Sequence, residues 1–298
     1  MVRVAFIING SKKLKVQVQD ILSQCNEHPE IESIQYFTKR AKEAIEISKS
    51  CTNQSFDVLV SVGGDGTMNE VLNGILDSNN EIKPVLAILP NGTGNDFIKS
   101  AKMKANTADF IESILENRTK KIDIGKIESK ERTHYFLNIS DTGFGGKVIE
   151  ILDKQRIYFV GKMSYSIAIL RGFVGFRKPI LSIVTDDYQF QGEVLMIAIC
   201  NGGVFGNGLI INPYAKMDDG TLNITLLGKV SLFDYIKNLR NLKKGLPIQH
   251  PEVHYLETKS IEIKLIKGKA FSEMDGEHLA VGDQLISIVK EGIRMLVY

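Results

Sequence analysis

The sequence predicts a two-part chain: an α/β domain over residues 1–122 and an antiparallel β domain over residues 123–285. Three observations predict it. Apolar runs at 4–8, 56–62 and 85–89 alternate with helix-period stretches, as in a parallel sheet covered on both faces. Two glycine-rich turns, Gly63-Gly64-Asp65-Gly66-Thr67 and Asn91-Gly92-Thr93-Gly94-Asn95-Asp96, follow successive strands. Beyond about residue 120 the apolar period becomes two, at Ile122 and Ile124, at Leu222, Ile224 and Leu226, and at Ile261, Ile263 and Leu265.

The first strand, 4–8, ends at the turn Asn9-Gly10-Ser11, and Leu14, Val18, Ile21 and Leu22 then mark one helix face. A second strand is expected at 34–37 and a helix over 41–48. After the third strand comes the first glycine turn. Thr67 and Glu70 have capping-box spacing at the start of a helix striped by Val71, Leu72, Ile75 and Leu76. The strand at 85–89 is closed by Pro90 and leads into the second glycine turn and a short helix. Two helices interrupt the β region, one within 157–175 and one over 232–244. The second carries Leu232, Tyr235, Ile236, Leu239 and Leu242 on one face and stops at Gly245. The last strand, 286–298, can return to the first domain.

The 298 residues are 43% hydrophobic and 24% charged, ordinary for a globular chain of one large or two medium domains. A net charge of +2 gives no footprint for general nucleic-acid binding. Cys25, Cys51 and Cys200 form neither a disulfide framework nor a metal spacing, which points to a reducing cytosol. No apolar run approaches the ~20 residues of a membrane span. Oligomeric state leaves no mark in the sequence.

Glycines in a strand-to-helix turn let backbone amides approach a ligand, and amides at a helix N-terminus suit a phosphate. The alternative is a tight turn with no ligand. Ligands of parallel sheets bind at the carboxyl ends of the strands, where both turns fall. The cleft between the domains is the expected active site. A phosphate-binding Gly-x-x-x-x-Gly-Lys-Ser/Thr loop, a dinucleotide fingerprint and a Gly-x-Ser-x-Gly elbow are all missing. His250 and His254 flank Pro251 and read as loop residues rather than metal ligands. What remains is carboxylates: Asp65 and Asp96 in the turns, Asp123, the Asp218-Asp219-Gly220 run and Asp275-Gly276-Glu277. Phosphate cradles with carboxylates suit phosphoryl transfer, although Asp-Gly is also a common hairpin turn.

Gly63-Gly64-Asp65-Gly66-Thr67 followed by Pro90-Asn91-Gly92-Thr93-Gly94-Asn95-Asp96-Phe97 resembles the diacylglycerol kinase catalytic domain, shared with sphingosine and ceramide kinases. The likeness runs on through 138–146, 201–215, Asp219-Gly220 and Asp275-Gly276-Glu277. It implies a three-layer N-terminal domain like those of NAD kinases and phosphofructokinases, a C-terminal β-sandwich, and ATP with Mg²⁺. It places Gly63, Gly64, Asp65, Gly66, Thr67, Met68 and Asn69 in the nucleotide loop, with Asn9, Thr38, Gly92, Thr93 and Asp96 as further nucleotide contacts. Asp275 matches the base that takes the proton of a lipid hydroxyl, and Asp65 an organiser of the loop and its metal network. Lys216, Asp219 and Thr221 match a structural Mg²⁺ site. The family's Asn-Pro-x-small-Gly after the first strand is here Asn9-Gly10-Ser11-Lys12-Lys13, a departure at the first nucleotide contact.

The expected function is therefore an ATP-dependent lipid kinase, with diacylglycerol or a related lipid as acceptor. It would sit in the cytoplasm and touch the inner face of a membrane peripherally. The stretch 157–178, aromatic, aliphatic and basic, can either lie on an anionic surface or pack on the β domain. Lys237, Arg240, Lys243 and Lys244 read as a solvated face. The rival readings are a kinase of a soluble acceptor, as in NAD kinases, and a regulator that binds nucleotide or lipid without turnover.

Overall fold

The computed structural model describes residues 1–103, 109–129, 132–154, 162–279 and 282–298. They form two compact units, Met1–Ile122 with Glu291–Tyr298, and Asp123–Lys290.

The first unit alternates strand and helix: β1 (Val2–Asn9), α1 (Val16–Glu27), β2 (Ile31–Thr38), α2 (Glu43–Asn53), β3 (Val58–Gly63) and α3 (Asp65–Leu76). β4 (Val85–Pro90) and two short helices, α4 (Asp96–Ser100) and α5 (Phe110–Leu115), follow. The strands run parallel in the order β2-β1-β3-β4. Both faces of the central strands are covered, so their residues are apolar throughout rather than alternating. Phe6, Val60 and Ala87 pack with Val18, Ile21 and Leu22 of α1 and with Phe110 of α5. Ile7, Leu59 and Leu86 on the other face are equally buried, as are Val71, Leu72 and Ile75 of α3.

The second unit opens with β5 (Thr119–Glu128), β6 (Thr133–Phe136), β7 (Ile139–Gly143), α6 (Phe144–Lys154) and α7 (Lys162–Phe173). Next come β8 (Ile180–Thr185), β9 (Gln189–Glu193), β10 (Met196–Cys200), β11 (Val204–Phe205), β12 (Leu209–Ile210), β13 (Leu222–Leu227) and α8 (Leu232–Lys244). It closes with β14 (Val253–Thr258), β15 (Ser260–Lys267), β16 (Ser272–Met274), β17 (Glu277–Leu279) and β18 (Gln284–Leu296). One antiparallel sheet has the order β14-β13-β10-β7-β16-β17; in another, β15 lies between β8 and the start of β18. Ile197, Ile199, Leu222, Ile224 and Leu226 face Leu181, Ile183, Ile261, Ile263 and Ile286 in a sandwich core. The alternate residues of β10, Met196, Ala198 and Cys200, form a second core with Phe144, Val148, Ile169 and Leu242 of the three helices. β18 ends in the first unit, where Met295 pairs in parallel with Leu86 of β4.

The periodicity misses two helices. α5 has only six residues, and α6 carries Gly145-Gly146, poor helix formers, in its first turn. The β region is thus interrupted three times among the described residues. The expected capping box is also corrected. α3 begins three residues earlier than that box requires, with Gly64 at its N-cap and no capping side chain. Glu70 instead accepts from the amides of Lys42 (2.9 Å) and Ala44 (3.2 Å), capping α2. α8 begins with a true capping box, Ser231 with Asp234, and ends at Gly245 in the left-handed region. All three cysteines are free and buried; burial pushes the Cys25 thiol up to about 12, which makes it inert.

Candidate active site

In the first unit, β3 passes into α3 through one residue, Gly64. A Cβ on Gly63 would lie 2.4 Å from Thr67 Oγ1, so only glycine lets α3 fold back over the strand end. The second glycine turn abuts the first. A Cβ on Gly92 would lie 2.4 Å from Gly64 Cα, and Asn91 N–H donates to Gly63 O at 2.8 Å. Asp65 ties the turns together, its Oδ1 accepting from Phe97 N–H at 3.1 Å. Its carboxyl is held above the usual range by burial and by the neighbouring Asp96 charge, against the amide donors that oppose the shift. Asp96 is itself paired with Lys99 at 2.8 Å.

The turn after β1 joins this cluster. Asn9 Nδ2 donates to Thr67 Oγ1 (3.2 Å), and its Oδ1 accepts from Ser11 N–H (3.0 Å). Thr38 Oγ1 accepts from Gly10 N–H at 3.3 Å. Asn91, which sequence reasoning did not single out, receives Lys15 N–H (3.1 Å) and donates to Lys13 O (3.2 Å). Asn9, Thr38, Gly63–Thr67, Gly92 and Asp96 therefore gather at the carboxyl end of the sheet, while Thr93 is exposed beside them. Met68 and Asn69 are both buried. Met68 is 1% exposed, its amide is bonded to Gly64 O, and Asn69 Oδ1 accepts from Asn73 Nδ2. The amides of Gly66 and Thr67, in the first turn of α3, have no intrahelical acceptor and no capping side chain. Glycine space, free amides and the helix dipole together suit an anionic phosphate.

In the second unit, Asp275 and Gly276 form the turn between β16 and β17, with φ of 49° and 87°. This is a tight hairpin, and it also turns the Asp275 carboxylate back onto β7. Oδ2 accepts from Leu137 N–H (2.9 Å), and Oδ1 from Asn138 N–H (3.0 Å) and Ile139 N–H (3.1 Å). The group is only 6% exposed. Asn201, which opens the stretch 201–215 but to which the sequence assigns no role, anchors the same segment by donating to Leu137 O and Asp123 O.

Lys216, Asp219 and Thr221 share one loop before β13. Asp219 Oδ1 accepts from Thr221 N–H (3.1 Å) and Oγ1 (2.9 Å), and Asp219 and Lys216 are exposed. Buried Asp123 shapes this loop, its Oδ2 accepting from Gly220 N–H at 2.7 Å. Among the described residues, no group of three or more His, Cys, Asp or Glu could hold a metal. The donors available to a hard cation are one carboxylate and main-chain carbonyls, a set that suits Mg²⁺ or Ca²⁺ rather than a soft metal.

The same unit holds an apolar cavity of about 730 Å³, its open mouth included. Phe144, Val148, Ile169, Phe173, Leu195, Met196, Leu209 and Leu242 line it, and Asp234, Asn238 and His250 are among its few polar members. His250 Nε2 lies 3.7 Å from Asp234 Oδ1. Of the aromatic-basic stretch, residues 155–161 lie outside the described residues. On the rest, Ala168 and Ile169 are buried while Val174 is 83% exposed. On α8, Phe233 is 74% exposed beside Tyr235, whose ring lies 6.1 Å from Phe173. No helix among the described residues is long and apolar enough to cross a membrane.

Residues 3–127 match the family model described as the diacylglycerol kinase catalytic domain, and residues 138–297 match the YegS C-terminal NAD kinase beta sandwich-like domain. The diacylglycerol kinase of Staphylococcus saprophyticus is 30% identical over 274 residues, covering 91% of this chain and 86% of its own. That of Staphylococcus haemolyticus is 29% identical over 274 residues, with 91% and 79% covered. A crystal structure of a diacylglycerol kinase from Bacillus anthracis superposes with a TM-score of 0.70 at 22% identity, over 99% of this chain and 97% of that one. The α/β unit with its paired glycine turns and the β-sandwich that follows thus have their counterparts in sequence and in structure, and the chain belongs to the diacylglycerol kinase family of bacterial lipid kinases.

Proposed function

We propose that this chain is an ATP- and Mg²⁺-dependent kinase that phosphorylates the hydroxyl of diacylglycerol or a closely related lipid. The observation that carries the lipid reading is the apolar cavity, which lies within the same unit as Asp275. A soluble, polar acceptor has no use for a cavity walled by Phe144, Phe173, Leu195 and Met196, whereas an acyl chain does. In this reading the free amides of Gly66 and Thr67 bind the ATP phosphates, and Asp65 keeps the two glycine turns together. Asp275 accepts the proton of the lipid hydroxyl as its oxygen bonds to the γ-phosphorus and ADP departs. Asp219, with the main-chain carbonyls of Lys216 and Thr221, would hold Mg²⁺ to stabilise its loop.

The test is transfer of labelled γ-phosphate from ATP, with Mg²⁺, to a panel of lipids in mixed micelles, with NAD and glycerol alongside. Label in one lipid supports the proposal and names the acceptor. Label only in NAD or glycerol overturns the lipid assignment. Filling the cavity gives a sharper check. Ile169→Trp should raise KM for a long-chain lipid about tenfold or more, since lost apolar contact amounts to ~1.5 kcal/mol or above, with KM for ATP unchanged. A lipid KM equal to the wild-type value would remove the cavity from acyl binding.

The proposal extends to the cytoplasmic face of a membrane. Val174, Phe233 and Ile236 are exposed apolar side chains, and Arg171, Arg177, Lys237 and Arg240 are exposed basic ones on or next to the same two helices. Such a surface suits an anionic bilayer. Replacing both Phe233 and Ile236 by Ser should weaken sedimentation with phosphatidylglycerol vesicles about tenfold or more. Activity on a short-chain, micelle-free acceptor should stay. Equal sedimentation of variant and wild type would place membrane contact elsewhere.

A further inference from the structure

The register of β7 and β16 sets Asp141 directly opposite Glu273. Both side chains are buried, at 1% and 5% exposure. Asp141 Oδ1 accepts from Gly146 N–H at 3.1 Å, and Glu273 Oε2 accepts from Gly276 N–H at 2.7 Å. Asp141 Oδ2 is buried with no hydrogen-bond partner among the described residues, and the carboxyl next to Asp141 across the strand pair is that of Glu273. A Cβ on Gly145 would lie 1.9 Å from that same oxygen, so the glycine at the start of α6 makes room for it.

His278 of β17 stands opposite Glu273 in the register and is exposed. Among the described residues, no Lys, Arg or His comes within ion-pair distance of either carboxyl. On α6, Lys147 is engaged by Glu150 and lies 4.9 Å from the centre of the Phe271 ring. From β10, Cys200 faces Asp141 as a buried neutral thiol. On the β16 side stand the Asp275 carboxylate and, on β17, Glu277 and His278, both exposed. Two buried carboxyls facing each other, with no ion-paired cation among the described residues, cannot both ionise. Burial, joined by the charge of Asp141, pushes Glu273 well above the usual carboxyl range. Burial also raises Asp141, to about 7.

We propose that Asp141 and Glu273 share one proton, and that this acid–carboxylate bridge positions the Asp275 turn for phosphoryl transfer. The second part rests on the role given to Asp275 above. The bridge is one rung of a short ladder between the same two strands. Asp275 N–H donates to Ile139 O at 2.9 Å, and Ser140 Oγ donates to Glu273 O at 2.8 Å. Glu273 reaches both ways, donating its proton to Asp141 and accepting from the amide of Gly276, the residue after Asp275. Without the proton, two like charges meet on the rung beside that turn.

The test compares the full-length wild type with Glu273→Gln, whose amide can still donate to Asp141 and whose oxygen can still accept from Gly276. Infrared spectra at neutral pH should show a protonated-carboxyl C=O band in the wild type that Glu273→Gln lacks. The sign of the linkage is fixed by the raised folded value. Stability that depends on the proton is complete below the ordinary 4.5 of Glu and is lost as pH rises toward the folded value. Over that window the wild-type unfolding constant should climb about tenfold per pH unit relative to the variant. In the phosphate-transfer assay, kcat of the wild type should fall on the alkaline side with KM for ATP steady. Glu273→Gln should keep neutral-pH kcat within about threefold and lose the alkaline fall, as the amide does not titrate. Absence of the band, or parallel stability slopes, overturns the shared proton. An unchanged alkaline fall in the variant overturns the positioning role. If neither protein phosphorylates any acceptor, the kinase proposal fails, and with it the positioning role, while the band and the slope still decide the shared proton.

Discussion

Asp275→Asn is expected to lower kcat by about 10² to 10⁴, the usual worth of a positioned general base, while ATP still raises the melting temperature as in the wild type. The structure adds a second cost. The Asp275 carboxylate accepts from three backbone donors, on Leu137, Asn138 and Ile139. An asparagine can offer its oxygen to some of them, but its amide group then confronts at least one N–H. Leaving one buried donor unsatisfied costs about 1–3 kcal/mol, so the variant should also melt lower. The two effects separate experimentally. Thermal unfolding with and without ATP reads folding and nucleotide binding, and single-turnover phosphate transfer well below the melting temperature reads the chemistry. A variant that is destabilised yet transfers phosphate at the wild-type rate would make Asp275 a structural clamp for β7 and nothing more.

The clamp that Asp275 forms on β7 shows where the sequence stops being legible. The glycine turns could be read because their constraint is local: three glycines in four residues between a strand and a helix leave few conformations and an open row of amides. The change to a two-residue period was legible for the same reason, since Leu222, Ile224 and Leu226, and Ile261 and Ile263, alternate along their own strands. α8 announced both its ends, through an apolar stripe and Gly245. Long-range bonds are different. Asn91, Asn201 and Glu273 act on residues tens of positions away, and nothing near them in the sequence marks those partners. Glu70 shows the failure in its plainest form: its spacing from Thr67 suits a local cap, but its carboxylate serves α2 because the packing of α2 on α3 brings other amides closer. The cavity was out of reach altogether, as it is built from side chains on three helices and several strands.

Gly92→Ala is expected to abolish the stabilisation by ATP and to reduce phosphate transfer at least tenfold, because the added methyl has nowhere to go. It would meet Gly64 Cα at 2.4 Å, Asn95 Oδ1 at 2.8 Å and Gly64 N at 3.1 Å. Two of these are backbone atoms at the N-cap of α3, so no side chain can swing aside. The two turns must separate, stretching the bond from Asn91 N–H to Gly63 O, at an overpacking cost of about 1–3 kcal/mol. Separation also re-aims the amides of Gly66 and Thr67, which is where the nucleotide would feel it. The companion variant supplies the contrast. A Cβ on Gly64 would find only Gly92 Cα, at 3.4 Å, and Gly64 has a negative φ of −103°, so Gly64→Ala should melt close to the wild type. The same pair of turns thus predicts opposite outcomes for two identical chemical changes. Calorimetric titration with ATP on both variants checks it. Wild-type affinity in Gly92→Ala would mean that the nucleotide does not depend on the contact between the turns, and the cradle would have to be sought elsewhere in the α/β unit.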